Sequence, residues 1–250
     1  MKYPIAAVLF SAGLAVQAQN VISWNVDAYS TIGGASQYAG VVSANYWNNT
    51  WDGANNGNGN AVGNPVTWNN LFYNNTGANS GVSVSATSFA DGWWNYYSVL
   101  GGSRVQDIDG TYNNYLLNGY NNNSFNNITL SSIPYAQYDL YVYFNADTAG
   151  RTGTVNVGAT TYDFTTLGNA ANSGANALLT QTTDTAGANP GADYAVFSGL
   201  TGNSQTIAAA VNGWGGIAGF QIVAVPEPGS LALAGLGGLM VLGFRRHLKK

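Results

Sequence analysis

Tyr138-Asp139-Leu140-Tyr141-Val142-Tyr143-Phe144 alternates with a period of two. Leu140, Val142 and Phe144 fall on one face of an extended chain, and Asp139, Tyr141 and Tyr143 on the other. The aliphatic face belongs to a core, whereas the tyrosine face can be solvated or can pack beneath a second layer. Working outward, segments of the same kind recur at 21–26, 41–46, 66–73, 82–88, 96–100, 128–133, 153–157, 161–165, 194–197, 205–211 and 217–225, and each reads as a strand. Two of them, 153–157 and 161–165, flank Gly158-Ala159-Thr160 and read as a hairpin. Residues 112–117 form the one helical candidate. About a dozen strands without intervening helices predict an all-β, antiparallel two-sheet sandwich, a jelly roll with long Asn- and Gly-rich loops. A β-helix is the competitor, but no fixed repeat period supports it.

Composition limits the chemistry. Residues 19–224 contain no Lys, Glu, His, Cys or Met, and their charges are ten Asp against Arg104 and Arg151. An acidic surface without a basic patch argues against nucleic acid as a partner. Without His or Cys there is no imidazole base and no usual zinc, iron or copper ligand set, so no cofactor is expected. The lack of cysteine leaves core packing and sheet hydrogen bonds to hold the domain. Patches such as Asn55-Asn56-Gly57-Asn58-Gly59-Asn60 suggest polar loops, while 46% hydrophobic and 13% aromatic content is too apolar for a generic disordered chain.

Both ends read as targeting segments. Lys2, the apolar run at 5–14 and Val16-Gln17-Ala18 have the parts of a secretory signal peptide, expected to be cut after Ala18 by signal peptidase. This gives a division into a signal peptide at 1–18, an exported domain at 19–224 and a sorting segment at 225–250. In the last, Pro226-Glu227-Pro228 precedes an apolar run at 231–244 and the basic tail Arg245-Arg246-His247-Leu248-Lys249-Lys250. This arrangement resembles the PEP-CTERM sorting signal, which implies recognition by an exosortase and delivery to the cell surface or extracellular matrix. The apolar run is short for a bilayer span and rich in glycine, which suits a weak, transient inner-membrane anchor with the basic tail cytoplasmic. A permanent anchor is the alternative.

A second resemblance rests on Ala39-Gly40-Val41-Val42, Trp47-Asn48-Asn49, Leu117-Asn118-Gly119-Tyr120, Ile133-Pro134, Tyr138 to Tyr143, and Gly215-Gly216-Ile217-Ala218-Gly219-Phe220-Gln221-Ile222-Val223. These are similar to landmarks of exported PEP-CTERM proteins of planctomycete- and verrucomicrobia-type bacteria. The pattern implies a galactose-binding-like jelly roll without transferring any binding residue.

Aromatic faces stack on pyranose rings, and Asn, Asp and Arg supply the polar contacts. Trp47, Trp51, Trp93, Trp94 and Trp214 lie in or beside Asn/Gly-rich segments and are the candidate glycan-binding residues, although each also reads as a core or loop anchor. Trp68 shares this setting. Asp107, Asp109 and Asp52 are weak calcium candidates because they offer hard oxygen ligands near glycine, and Asx-turns explain them equally well. Asp107 and Asp109, at i and i+2, are also the nearest approach to a glycosidase carboxylate pair. Arg104 and Arg151 read as sugar or carboxylate contacts, or as ion-pair partners of Asp107 or Asp147. Three functions stay open: a non-enzymatic surface protein binding exopolysaccharide or other glycans, which leads; a secreted glycan-cleaving enzyme; and a purely structural matrix protein.

Overall fold

The computed structural model describes residues 20–26, 32–49, 66–86, 93–95, 107–121, 126–168 and 178–226. In chain order the strands are β1 Val21–Asn25, β2 Asn48–Asn49, β3 Val66–Trp68, β4 Ser83–Ala86, β5 Trp93–Asn95, β6 Gly119–Asn121, β7 Asn126–Ser131, β8 Gln137–Ala146, β9 Thr152–Val157, β10 Thr160–Thr166, β11 Gln181–Thr182, β12 Gly191–Ala192, β13 Tyr194–Thr201, β14 Ser204–Val211 and β15 Gly215–Ala224. A single helical turn, α1, spans Asn113–Leu116. Two large sheets result, ordered β11-β13-β8-β15-β1-β2 and β12-β10-β9-β14-β7-β4-β3, with β5-β6 as a separate pair.

The alternation in β8 has the expected consequence on both faces. Leu140, Val142 and Phe144 enter the main core with Ile22, Trp24, Phe220 and Ile222 of the same sheet and Val155, Phe164, Ile207 and Leu130 of the other. Phe144 stacks on Phe164 across the sandwich, with centroids 3.7 Å apart and planes at 15°. Burial of such rings contributes roughly 1.5–3 kcal/mol each relative to exposure. The tyrosine face packs beneath a second layer. Tyr143 joins Ile32, Ala39, Trp47, Leu116 and Leu117 in a smaller core formed by the 32–49 segment and α1 against the outer face of the first sheet. That cover explains why β15 is buried at almost every position, while β9 and β14 of the second sheet alternate.

The hairpin forms between β9 and β10, with Val157 opposite Thr160 and Gly158 at φ +60°, as the first position of a two-residue type II′ loop requires. Two expectations need correction. Residues 41–46 are not a strand: they form a turn closed by the Ala39–Ala44 bridge. Nor is the pairing purely antiparallel, because β2, β11 and β12 join β1, β13 and β10 in parallel. Each of these three has two residues, contributed where a loop runs past a sheet margin. The predicted strand at 96–100, the signal peptide and the apolar run at 231–244 lie outside the described residues. Among the described residues no helix is long and apolar enough to cross a membrane.

Candidate functional site

The outer face of the first sheet is polar as well as aromatic, and its polar atoms bind the covering layer. Tyr143 Oη donates to Gln221 Oε1 at 2.6 Å and accepts the Val41 N–H at 2.8 Å. Gln221 Nε2 donates to Val42 O at 2.8 Å and to Ser23 Oγ at 3.1 Å. Asn48 Nδ2 bridges Ser23 O and Phe72 O, and its Oδ1 accepts the Phe72 N–H. Burial raises the Tyr143 pKa, and the Val41 N–H acts in the opposite direction. These groups are saturated by one another, so this face is architecture.

Trp47 belongs to that architecture. It is 1% exposed, its Nε1 donates to Ala44 O at 2.9 Å, and its ring lies 6.1 Å from Tyr143. A ring without an exposed face offers no stacking platform, which corrects its place among the glycan candidates. Trp214 is the opposite case, at 48% exposure on the β14–β15 turn. The turn is tied by Asn212 N–H to Thr152 O at 2.8 Å and by Asp147 N–H to Trp214 O at 3.0 Å. Arg151 clamps it further, with Nη2 donating to Asp147 Oδ2 at 2.7 Å, Nε also bound to Asp147, and Nη1 reaching Asn212 O at 3.3 Å. The bond to Asp147 raises the Arg151 pKa. Gly213, at φ +109°, is needed here because a Cβ would lie 1.8 Å from Arg151 Nη1.

Beside this turn is a shallow groove of about 390 Å³ lined by Thr152, Gly153, Thr154, Asn189, Ala210, Val211 and Asn212. Hydroxyl and carboxamide groups of this kind, in a groove that Asn212 joins to the turn bearing Trp214, are suited to a polyhydroxylated ligand. The sequence reading singled out Trp214 but missed Asn189, Thr152 and Thr154. They lie on separate segments, and only the sheet brings them together; the Asn212-Gly213-Trp214 turn was the available signal. A second cleft, of about 200 Å³, is lined by Trp24 and Trp68, whose rings touch with centroids 5.7 Å apart, and by Asn48, Asn49, Asn69 and Asn70.

Asp107 and Asp109 form a turn. Asp107 Oδ2 accepts Thr111 Oγ1 at 2.9 Å and the Asn114 N–H at 3.1 Å, and Asp109 Oδ1 accepts the Thr111 N–H at 2.9 Å. Among the described residues, no three acidic, His or Cys side chains group to hold a metal ion. Trp51, Asp52, Glu227, Pro228, Arg245 and Arg246 lie outside the described residues, as do the side chains of Trp93 and Trp94, although the β5 backbone pairs with β6. Pro226 is exposed at the end of the described chain.

Residues 224–246 match the PEP-CTERM protein-sorting motif. The chain therefore carries the signal of an exported protein targeted to an exosortase and sorted to the cell surface. No curated protein and no solved structure matches it.

Proposed function

We propose that the exported domain is a non-enzymatic surface or matrix module that binds exopolysaccharide or related glycans at the Trp214 groove. The observation that carries this reading is the exposed Trp214 indole on a turn clamped by Arg151, beside a groove lined by Asn189, Asn212, Thr152 and Thr154. A turn whose backbone is already fixed limits the ordering cost of binding a sugar there. The involvement of Asp107 and Asp109 in turn hydrogen bonds supports a structural role for that pair over an acid–base role.

The strand order favours the jelly-roll reading. The runs β1-β15-β8-β13 and β7-β14-β9-β10 form the two sheets, and the chain changes sheet from β7 to β8, β8 to β9, β13 to β14 and β14 to β15. In this reading the targeting follows a signal peptide removed by signal peptidase, a transient inner-membrane stay and exosortase processing. A planctomycete- or verrucomicrobia-type surface protein is the kind of ectodomain it resembles.

Calorimetric titration of the exported domain with the host's exopolysaccharide tests the binding. Saturable binding that Trp214→Ala abolishes is the expected result. Equal binding by parent and variant rejects the site, and no binding by either leaves the structural matrix role. Glycan hydrolysis by the parent that Asp107→Asn or Asp109→Asn removes would establish the enzymatic alternative instead.

A further inference from the structure

From where the sorting motif leaves the fold, we infer that one end of the sandwich, built around Asn20, Gln137 and Val225, faces the bilayer surface while the sorting segment is in place. The inference rests on the reading of 231–244 as a membrane anchor. Strand β15 runs straight into the motif, which begins at Ala224. The chain is held to its last described residues: Ala224 N–H donates to Asn20 O at 3.2 Å and Val225 N–H to Gln137 O at 3.0 Å. Residues 226–230 alone separate this fixed point from the apolar run. Five residues reach at most about 18 Å when fully extended. The headgroup layer occupies several ångströms of that distance, so the fold has little freedom to stand away from the membrane.

The start of β1 emerges at the same end, since Val21 lies opposite Val223. Any N-terminal membrane segment still attached would hold the domain by this end too. Near the Asn20 end, Asp139 of β8 accepts the Gly199 N–H at 2.8 Å. Tyr135 is half-buried there, with its hydroxyl donating to Asn20 O at 3.1 Å, an amphipathic side chain of the kind found at membrane–water interfaces.

The absence of native cysteine makes the test direct. Single-cysteine variants Ala136→Cys and Asn203→Cys, at the proposed membrane-facing end, and Ala149→Cys, at the other, are made in the full chain and labelled with a fluorophore. They are reconstituted into phosphatidylcholine–phosphatidylglycerol vesicles containing a headgroup-attached quencher. Flotation with the vesicles and several-fold stronger quenching at positions 136 and 203 than at 149 is the expected result. Flotation with equal quenching, or stronger quenching at 149, overturns the orientation while leaving the anchor reading intact. Failure to float overturns the anchor reading and the orientation with it.

Discussion

Gly40 rests against the side-chain amide of Gln221 with room for a hydrogen and none for a methyl group. A Cβ at Gly40 would lie 2.5 Å from Gln221 Oε1 and 2.8 Å from its carbonyl carbon, and the backbone there has φ +87°. Gly40 N–H also donates to Asn113 Oδ1 at 2.9 Å, so this residue is held both by the sheet beneath it and by α1.

Gly40→Ala should therefore destabilise the domain by about 2 kcal/mol or more, combining left-handed strain with displacement of a buried hydrogen-bonded amide. Gly77→Ala is the control, since its φ is +67° but its Cβ would meet no atom within 4 Å. Urea unfolding of both variants checks this, with the larger shift in midpoint expected at Gly40.

Alkaline pH should weaken the fold through its buried phenols. Burial is the first cause of the raised pKa at Tyr135, Tyr138, Tyr141, Tyr143 and Tyr194. Their contribution is fully present below the unfolded value of about 10 and is lost as pH rises through the higher folded values. Tyr143→Phe should remove part of that alkaline dependence while costing about 1–3 kcal/mol at neutral pH, because Val41 N–H and Gln221 lose a buried partner. Stability measured between neutral pH and pH 11 checks both effects.

Asp184 should impose a dependence at the acid end. The Ala186 N–H, and then the Asn189 N–H, hold its pKa below the ordinary carboxylate value. Stability from these bonds is present above the unfolded pKa of about 4 and is lost as pH falls through the lowered folded value. Asp184→Asn should flatten the acid limb of a stability–pH curve and leave the alkaline limb unchanged.

The two tryptophans described in full from the candidate set should separate in one experiment. Trp47→Ala should cost about 3–5 kcal/mol, the range for truncating a buried large aromatic. Trp214→Ala should cost much less, about 1 kcal/mol, because roughly half of its surface remains in solvent. Chemical denaturation of both checks the contrast, and similar losses at the two positions would refute it.

The residues easiest to read in the sequence were those whose neighbours along the chain determine their setting. Strand β8 announced itself because one face is continuously apolar, and the β9–β10 hairpin did so through Gly158. The 41–46 segment misled because Val41 and Val42 look like strand residues, whereas their N–H groups bond to Tyr143 and Gln221 of a distant part of the chain. Trp47 was misread through Asn48 and Asn49: polar neighbours suggest a surface, yet Asn48 is buried and makes three hydrogen bonds. The groove beside the Trp214 turn was half legible, since Trp214 stands out in the sequence but the polar lining is assembled across strands. Edge strands of two residues carry too little pattern to be seen at all.

The pairing of Val21 with Val223 also constrains when the domain can fold. The first strand of the exported region and the last share one sheet, so β1 lacks its main antiparallel partner until nearly the whole domain has been delivered. Such a high-contact-order closure is slow, because a long loop must be ordered before its contacts form. During export the early strands must persist without their central neighbour, and the arrival of β15 both completes the sheet and brings the sorting segment into place behind it.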